Sequence, residues 1–131
     1  RRRHTRFALV SWARDVYKRQ ALYRSADVLL NPSLADNMPN SLLEAWASGL
    51  PVVTTNVGGI PHLATDGVNA SLVPPGNPVA MAQACLAVLS DETIWQQRAN
   101  AGLREAQRYT WPRVRSLLLD VYRRAMQKSS C

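Results

Sequence analysis

Two short apolar runs, separated by a polar loop and a helix, constrain the fold of this chain more than any other feature. The first run, residues 27–30, is continuous rather than alternating, which is typical of a strand buried on both faces of a parallel sheet. The second run, residues 52–55, is β-branched throughout and predicts the next strand. Strand, helix and strand in this order predict an α/β domain with a Rossmann-like parallel sheet flanked by helices.

The helix between the two strands is predicted over residues 40–49. Pro39 lies near its first turn, Asn40 is the expected N-cap, and Gly49 follows its end. Glu44 falls on the polar face and is expected to point away from the core. The expected apolar stripe consists of Leu42, Leu43, Trp46 and Ala47.

The rest of the chain continues the alternation within a length of 131 residues, enough for one domain. Residues 56–61 form a turn whose paired glycines permit close approach of another backbone or of a ligand. Residues 71–73 predict a short strand, and Asn77 is expected to cap the helix after it. Further helices are predicted from about residues 91 and 111. The buried face expected for the helix after Asn77 comprises Ala82, Cys85, Leu86 and Leu89.

Ligands of parallel sheets bind at the carboxyl ends of the strands, where loops 31–41 and 56–61 are expected. For a nucleotide diphosphate, the start of helix 40–49 offers free backbone N–H groups to the pyrophosphate. Glu44 could accept hydrogen bonds from a ribose diol, and Asp36 could reach hydroxyls on the attached group. The alternative is that Asp36 is a turn residue and Glu44 a solvated helix position. No Lys or Arg lies between Asp27 and Arg98, so the backbone would have to hold the anion alone.

The net charge of +7 is concentrated at the start of the chain. Residues 1–20 contain seven basic residues and one acidic residue, so they carry +6 and the other 111 residues carry +1. One hypothesis is a basic arm for nucleic acid or anionic lipid. The other is that residues 1–20 are disordered or non-native, because residues 15–20 resemble a translated sequencing adapter. We therefore place the domain at residues 21–131 and expect no nucleic-acid partner.

The remaining bulk properties exclude some classes of protein. No apolar run approaches the roughly 20 residues of a membrane helix, and the Arg-rich start lacks the apolar segment of a secretory signal. The two cysteines, Cys85 and Cys131, show no pairing or metal-ligand spacing, which favours reduced thiols, a cytoplasmic setting and no metal site.

Residues 21–127 resemble the C-terminal, donor-binding domain of GT-B retaining glycosyltransferases of family four, also called group one. The resemblance depends on six motifs. No single one is specific for the family, but their order and spacing together are specific. The motifs are Tyr23-Arg24-Ser25-Ala26-Asp27-Val28, Asn31-Pro32-Ser33, Asp36-Asn37-Met38-Pro39-Asn40-Ser41-Leu42-Leu43-Glu44-Ala45, Gly49-Leu50-Pro51-Val52-Val53, Val57-Gly58-Gly59-Ile60-Pro61 and Asp66-Gly67-Val68-Asn69.

The resemblance implies a role for each position that matches the family's motif. Asp36 would contact the donor sugar at the catalytic centre, and Glu44 would hold the ribose. Such enzymes transfer a sugar from a nucleotide diphosphate, such as a UDP- or GDP-sugar, with retention and usually without a bound metal or further cofactor, here in polysaccharide or glycolipid synthesis. The other donor-binding residues would be Asn37, Met38, Pro39, Asn40, Ser41, Gly58 and Gly59.

Three departures from the family pattern qualify the resemblance. His62 stands where Glu is common, and Ala70 replaces a frequent Gly. The family's phosphate-binding basic residues and its acceptor domain come from earlier sequence, so this chain is expected to be inactive alone. Its last helix would cross to that N-terminal domain, and peripheral membrane association of the full enzyme stays open. The alternatives are a fragment of a sugar-nucleotide epimerase and a non-catalytic module with a basic arm.

Overall fold

The computed structural model describes Phe7–Ala8 and residues 16–128. Four parallel strands form one sheet in chain order: β1 (Phe7–Ala8), β2 (Val28–Asn31), β3 (Val52–Thr55) and β4 (Ser71–Val73). The register pairs Leu29 with Val52 and Val53 with Ser71. The helix-flanked parallel sheet confirms the predicted fold class.

The described residues form six helices, which alternate with these strands or follow them. A 3₁₀ turn, Gln107–Tyr109, joins the last two helices. The helices are α1 (Val16–Ser25), α2 (Asn40–Ala47), α3 (Ile60–Leu63), α4 (Pro78–Ser90), α5 (Glu92–Ala106) and α6 (Trp111–Lys128).

Side chains alternate between two cores, one on each face of the sheet. Leu29 and Val52 belong to the cluster that contains Trp46 of α2, whereas Val28 and Val53 pack with Cys85 and Val88 of α4. Because successive strand residues point to opposite faces, and both faces are covered, the strands are continuous apolar runs. Cys85 fills the core as predicted, and burial raises the pKa of its thiol.

The end of α2 follows the prediction, but its start and its apolar face do not. Gly49 has φ +71, and the N–H groups of Gly49 and Leu50 donate to the carbonyls of Trp46 and Ala45, both at 2.9 Å. This pattern is a Schellman motif, which glycine permits because it tolerates positive φ. Ala45, three residues after Leu42, completes the buried face, and the predicted Ala47 is exposed.

The predicted buried face of α4 is also partly wrong. Cys85 and Val88 are buried and Leu89 is half-buried, but Leu86 is 65% exposed and Ala82 is exposed too. Nearly every residue of α4 is apolar, so the sequence shows no unique stripe, and contact with β2 and β3 selects the face. The N-cap prediction is confirmed: the Asn77 side chain accepts from the Ala80 N–H at 2.9 Å.

The structure of residues 1–20 and of helix α6 can be compared with the predictions for the two ends of the chain. Of residues 1–20, the structure places 7–8 in β1 and 16–20 in α1, while 1–6 and 9–15 lie outside the described residues. Helix α1 therefore begins within the segment that was expected to be disordered or non-native, and the assignment of residues 1–20 to a non-native segment stays a prediction. At the other end, α6 forms as predicted and its apolar residues are exposed, for example Leu117 at 68%.

Candidate functional site

The loop that leaves β2 is held by hydroxyl groups at the strand ends. The Thr55 hydroxyl donates to the Ser33 carbonyl at 2.6 Å, and the Ser33 hydroxyl donates to Asn31 Oδ1 at 2.7 Å. Asn31 Nδ2 in turn donates to Thr54 Oγ1 at 3.1 Å. Adjacent parallel strands thus fix the loop at the carboxyl edge of the sheet, where ligands of such sheets bind.

The two predicted loops meet through their backbones. The Gly59 N–H donates to the Asp36 carbonyl at 3.0 Å. A Cβ added at Gly58 would lie 2.1 Å from the Asp36 carbonyl oxygen, and one added at Gly59 would lie 1.9 Å from that of Asn37. The glycine pair is therefore required by the approach of another backbone, one of the two possibilities the sequence left open. Gly58 and Gly59 shape the loop that carries Asp36 and Asn37.

Asp36 lies half-buried in this loop, with its Oδ2 3.5 Å from the Ser33 hydroxyl. Asn37 and Met38 are exposed beside it. They border an open cavity of about 290 Å³ whose lining residues are Asn37, Met38, Gly59, His62, Leu63 and Tyr109. His62, at the position where the family commonly has Glu, is exposed in α3 and faces this cavity.

The start of α2 differs from the prediction in one residue. Pro39 occupies the N-cap position with φ −69° and ψ 113°, and Asn40 is the first helical residue. Proline fixes φ near this value and has no side-chain acceptor, so no side chain caps the helix. The backbone N–H groups of the first turn, from Asn40 and Ser41, therefore remain available to an external acceptor, which also benefits from the helix dipole.

Glu44, one turn further along α2, faces helix α1. Its carboxylate accepts from Arg19 Nη1 at 3.0 Å to Oε1 and 3.3 Å to Oε2, and from the Tyr23 hydroxyl at 3.0 Å to Oε2. The Glu44 side chain is 38% exposed, so it is neither solvated freely nor buried. It borders a cavity of about 260 Å³ lined by Arg19, Gln20, Tyr23, Arg24, Glu44, Ala47 and Ser48.

The two partners of Glu44 differ in how firmly they are held. Tyr23 is 2% exposed and belongs to the core, whereas the Arg19 side chain is 31% exposed. Burial, followed by the hydrogen bond and the charge of Glu44, raises the pKa of the Tyr23 hydroxyl well above its ordinary range, and Arg19 opposes this shift. Tyr23 is therefore a protonated donor throughout the neutral range. The ion pair with Arg19 is partly exposed and worth about 0–1 kcal/mol.

The sequence predicted the acidic residues but missed both groups that contact Glu44. Arg19 lies in the segment predicted to be disordered or non-native, and Tyr23 stands out in the sequence only as the first residue of the motif at residues 23–28. A signal was present, since Arg19 and Tyr23 are four residues apart and so share one face of a helix. The structure also divides the predicted site between two hollows, with Asn37 and Met38 at one and Glu44 at the other.

Within Phe7–Ala8 and residues 16–128, no three His, Cys, Asp or Glu side chains are grouped so that they could hold a metal ion. In the same part of the chain, no helix has both the length and the apolar character needed to cross a bilayer.

A parallel sheet flanked by helices, with an uncapped helix start and polar loops at its carboxyl edge, defines a Rossmann-like α/β domain. The sequence model of the family described as glycosyl transferases group 1 matches residues 2–91. The chain belongs to this family and corresponds to the C-terminal half of its GT-B enzymes.

Individual relatives agree with the family assignment. The chain is 37% identical over 105 residues to a D-inositol 3-phosphate glycosyltransferase of Saccharomonospora viridis, covering 80% of this chain and 24% of the relative. It is 39% identical over 85 residues to a probable sucrose-phosphate synthase 1 of Oryza sativa, covering 65% of this chain and 8% of that protein. The chain thus spans less than a quarter of the length of either of these two relatives.

Solved structures show the same fold. A sucrose-phosphate synthase from Thermosynechococcus elongatus superposes with a TM-score of 0.76 at 27% identity, covering 82% of this chain and 28% of that one. The C-terminal domain of a glycosyl transferase group 1 family protein from Francisella tularensis superposes with a TM-score of 0.67 at 25% identity, over 73% of this chain and 49% of that domain. The second match confirms the expected C-terminal half.

Proposed function

We propose that this chain binds the nucleotide diphosphate part of a sugar donor, and that its ribose-binding group is Glu44. The observation that carries the proposal is the place of Glu44 on α2, one turn from an uncapped helix start, in a chain of the group 1 family. Four residues of helix advance about 6 Å, so a diphosphate at the first turn and a ribose at Glu44 are neighbours.

The hydrogen-bonding capacity of Glu44 fits a ribose diol. A carboxylate accepts about four hydrogen bonds. Tyr23 donates only to Oε2, and Arg19 is the one partner that contacts Oε1 among the bonds seen in the described residues. Each carboxylate oxygen offers about two acceptor positions, so Oε1 can accept from the diol while the Arg19 side chain stays paired with it.

The positions of the other residues predicted to bind the sugar donor suggest a role for each of them. The first turn of α2, Asn40 and Ser41, would face the diphosphate with its N–H groups, preceded by Pro39. Asp36 would meet the donor sugar from the loop, with Asn37 and Met38 beside it. Gly58 and Gly59 would act by shaping that loop.

A solved relative supports the class of ligand. A HepE structure from Anabaena, 23% identical with a TM-score of 0.73 and covering 77% of this chain and 28% of that one, is a complex with UDP-glucose. We therefore propose a nucleotide sugar as donor. The polysaccharide or glycolipid product, the N-terminal acceptor domain as partner, peripheral membrane association and inactivity of these 131 residues alone stay predictions.

The alternatives receive less support. A basic arm for nucleic acid or anionic lipid depends on residues 1–20, most of which lie outside the described residues. A sugar-nucleotide epimerase has the same two-domain plan, but the family match favours the transferase.

Calorimetry with UDP, GDP and ADP tests the proposal. We expect one of them to bind the wild-type chain, and Glu44→Gln to weaken it by about 10- to 100-fold, because hydrogen bonds to a charged group contribute about 1.5–3 kcal/mol. Asp120→Asn is the matched control, since it also removes a carboxylate that pairs with an arginine, Arg123 at 3.2 Å, but on α6. Equal affinity of wild type and Glu44→Gln would contradict the role of Glu44.

A further inference from the structure

The hydrogen bond from Tyr23 to Glu44 is rigid because the Tyr23 ring is packed in the core. Its ring is 2% exposed and belongs to the cluster that includes Leu42 and Trp46 of α2. The ring is therefore held by packing, and its hydroxyl is fixed 3.0 Å from Glu44 Oε2. A donor whose own rotamer is locked by packing can orient the group it contacts.

The contact selects one of the two carboxylate oxygens. Tyr23 donates to Oε2, and the nearer oxygen to Arg19 is Oε1, at 3.0 Å. Oε2 therefore accepts from both Tyr23 and Arg19, whereas Oε1 accepts only from Arg19 among the bonds seen in the described residues. The high pKa of the Tyr23 hydroxyl keeps this donor protonated at neutral pH.

We propose that Tyr23 is a positioning residue for the ribose site, whose hydroxyl holds Oε2 of Glu44 so that Oε1 meets the ribose hydroxyls. The assignment rests on the proposed function, because it needs Glu44 to bind ribose. It concerns a residue that contacts the carboxylate and not the ligand, so its effect must appear as a change in how Glu44 discriminates between ligands.

The variant Tyr23→Phe keeps the ring and removes only the hydroxyl. Its affinity is measured by calorimetry for UDP, GDP and ADP and for their 2′-deoxy analogues. The wild-type chain is expected to prefer the ribose form. In Tyr23→Phe we expect this preference to fall about fivefold, the worth of one hydrogen bond, while affinity for the deoxy form changes little. Mere loosening of the core would weaken both forms equally.

Two further variants show whether Tyr23 acts through Glu44. Combining Tyr23→Phe with Glu44→Gln should lower the ribose preference no further than Glu44→Gln alone, since both changes remove one interaction. Tyr122→Phe, which removes a hydroxyl from a tyrosine 59% exposed on α6, is the matched control and should leave the preference unchanged. An additive loss in the double variant would overturn the assignment.

The outcomes separate this assignment from the proposed function. Binding by wild type with an unchanged ribose preference in Tyr23→Phe overturns the positioning role alone. Failure of the wild-type chain to bind any of the three nucleotides overturns both. If Tyr23→Phe does not fold, Tyr23→Met serves instead, because it also removes the hydroxyl while a flexible apolar side chain still fills the core. It should show the same loss of ribose preference, and an unchanged preference refutes the proposal.

Discussion

The close approach of two loops predicts that Gly58 cannot be replaced, even by alanine. Gly58 has φ +53, and an added Cβ would lie 2.1 Å from the Asp36 carbonyl oxygen. Real Cβ contacts do not fall below 3.0 Å, so one of the loops must move by about 0.9 Å. Backbone lies on both sides of the overlap, so no flexible side chain can relieve it.

The size of the effect follows from two separate costs. Placing alanine at positive φ costs about 1–2 kcal/mol, and overpacking of this kind costs about 1–3 kcal/mol more. Gly67→Ala isolates the first cost, because Gly67 has φ +74 and an added Cβ there would meet nothing within 4 Å. The effect of Gly→Ala on the unfolded chain is common to both variants and cancels. Gly58→Ala should therefore lose about 1–3 kcal/mol more than Gly67→Ala.

Urea unfolding followed by tryptophan fluorescence measures this difference in the free energy of unfolding. In thermal melts, it corresponds to a further fall in Tm of about 3–5 °C per kcal/mol for a domain of this size. If the Asp36 loop contacts the donor, nucleotide affinity should also fall in Gly58→Ala but not in Gly67→Ala. Equal destabilisation of the two variants would refute the account of the loop contact.

Two other features give predictions of the same kind. An added Cβ at Gly102 of α5 would lie 2.2 Å from the Trp46 indole, so Gly102→Ala should destabilise the fold although alanine favours a helix by about 1 kcal/mol. A net gain in urea stability, without a change in Trp46 fluorescence, would contradict this. The pKa of Tyr23 is higher in the folded state than its unfolded value of about 10. Its contribution to the free energy of unfolding is therefore complete below about pH 10 and is lost above it, at up to about 1.4 kcal/mol per pH unit. Thermal melts should show a shallower alkaline decline in Tyr23→Phe, and equal slopes would refute it.

The sequence predicted strands β2, β3 and β4 and the starts of helices α4, α5 and α6, because those depend on local patterns. Short apolar runs, Gly49 and Asn77 each act within a few residues, and the structure confirms them. The buried face of α4 could not be predicted, because an all-apolar helix is oriented by its neighbours and not by its own stripe. The prediction of Asn40 as the N-cap was wrong. Pro39 occupies the N-cap position and has no side-chain acceptor, so the helix is uncapped.

The candidate site was predicted as a set of residues but not as an arrangement. Asp36 and Glu44 were found by type and spacing, and their roles stay predictions. The contacts of Glu44 come from α1, and those across loop 36–37 come from Gly58 and Gly59. Both depend on packing between elements distant in sequence, which a single sequence does not reveal.

The contacts of Glu44 also bear on how a diphosphate could bind near its negative charge. Because no Lys or Arg lies between Asp27 and Arg98, an unpaired Glu44 near the first turn of α2 would repel a diphosphate. Arg19 neutralises it across 3.0 Å, but Arg19 falls in the segment that resembles a sequencing adapter. Tyr23 lies beyond that segment and neutralises nothing, yet it donates to the same carboxylate. Glu44 is therefore held by one residue within the predicted domain, Tyr23, and by one residue of the segment 15–20, Arg19. Replacing Arg19 would remove its charge and its two hydrogen bonds to Glu44, and the Tyr23 contact would remain.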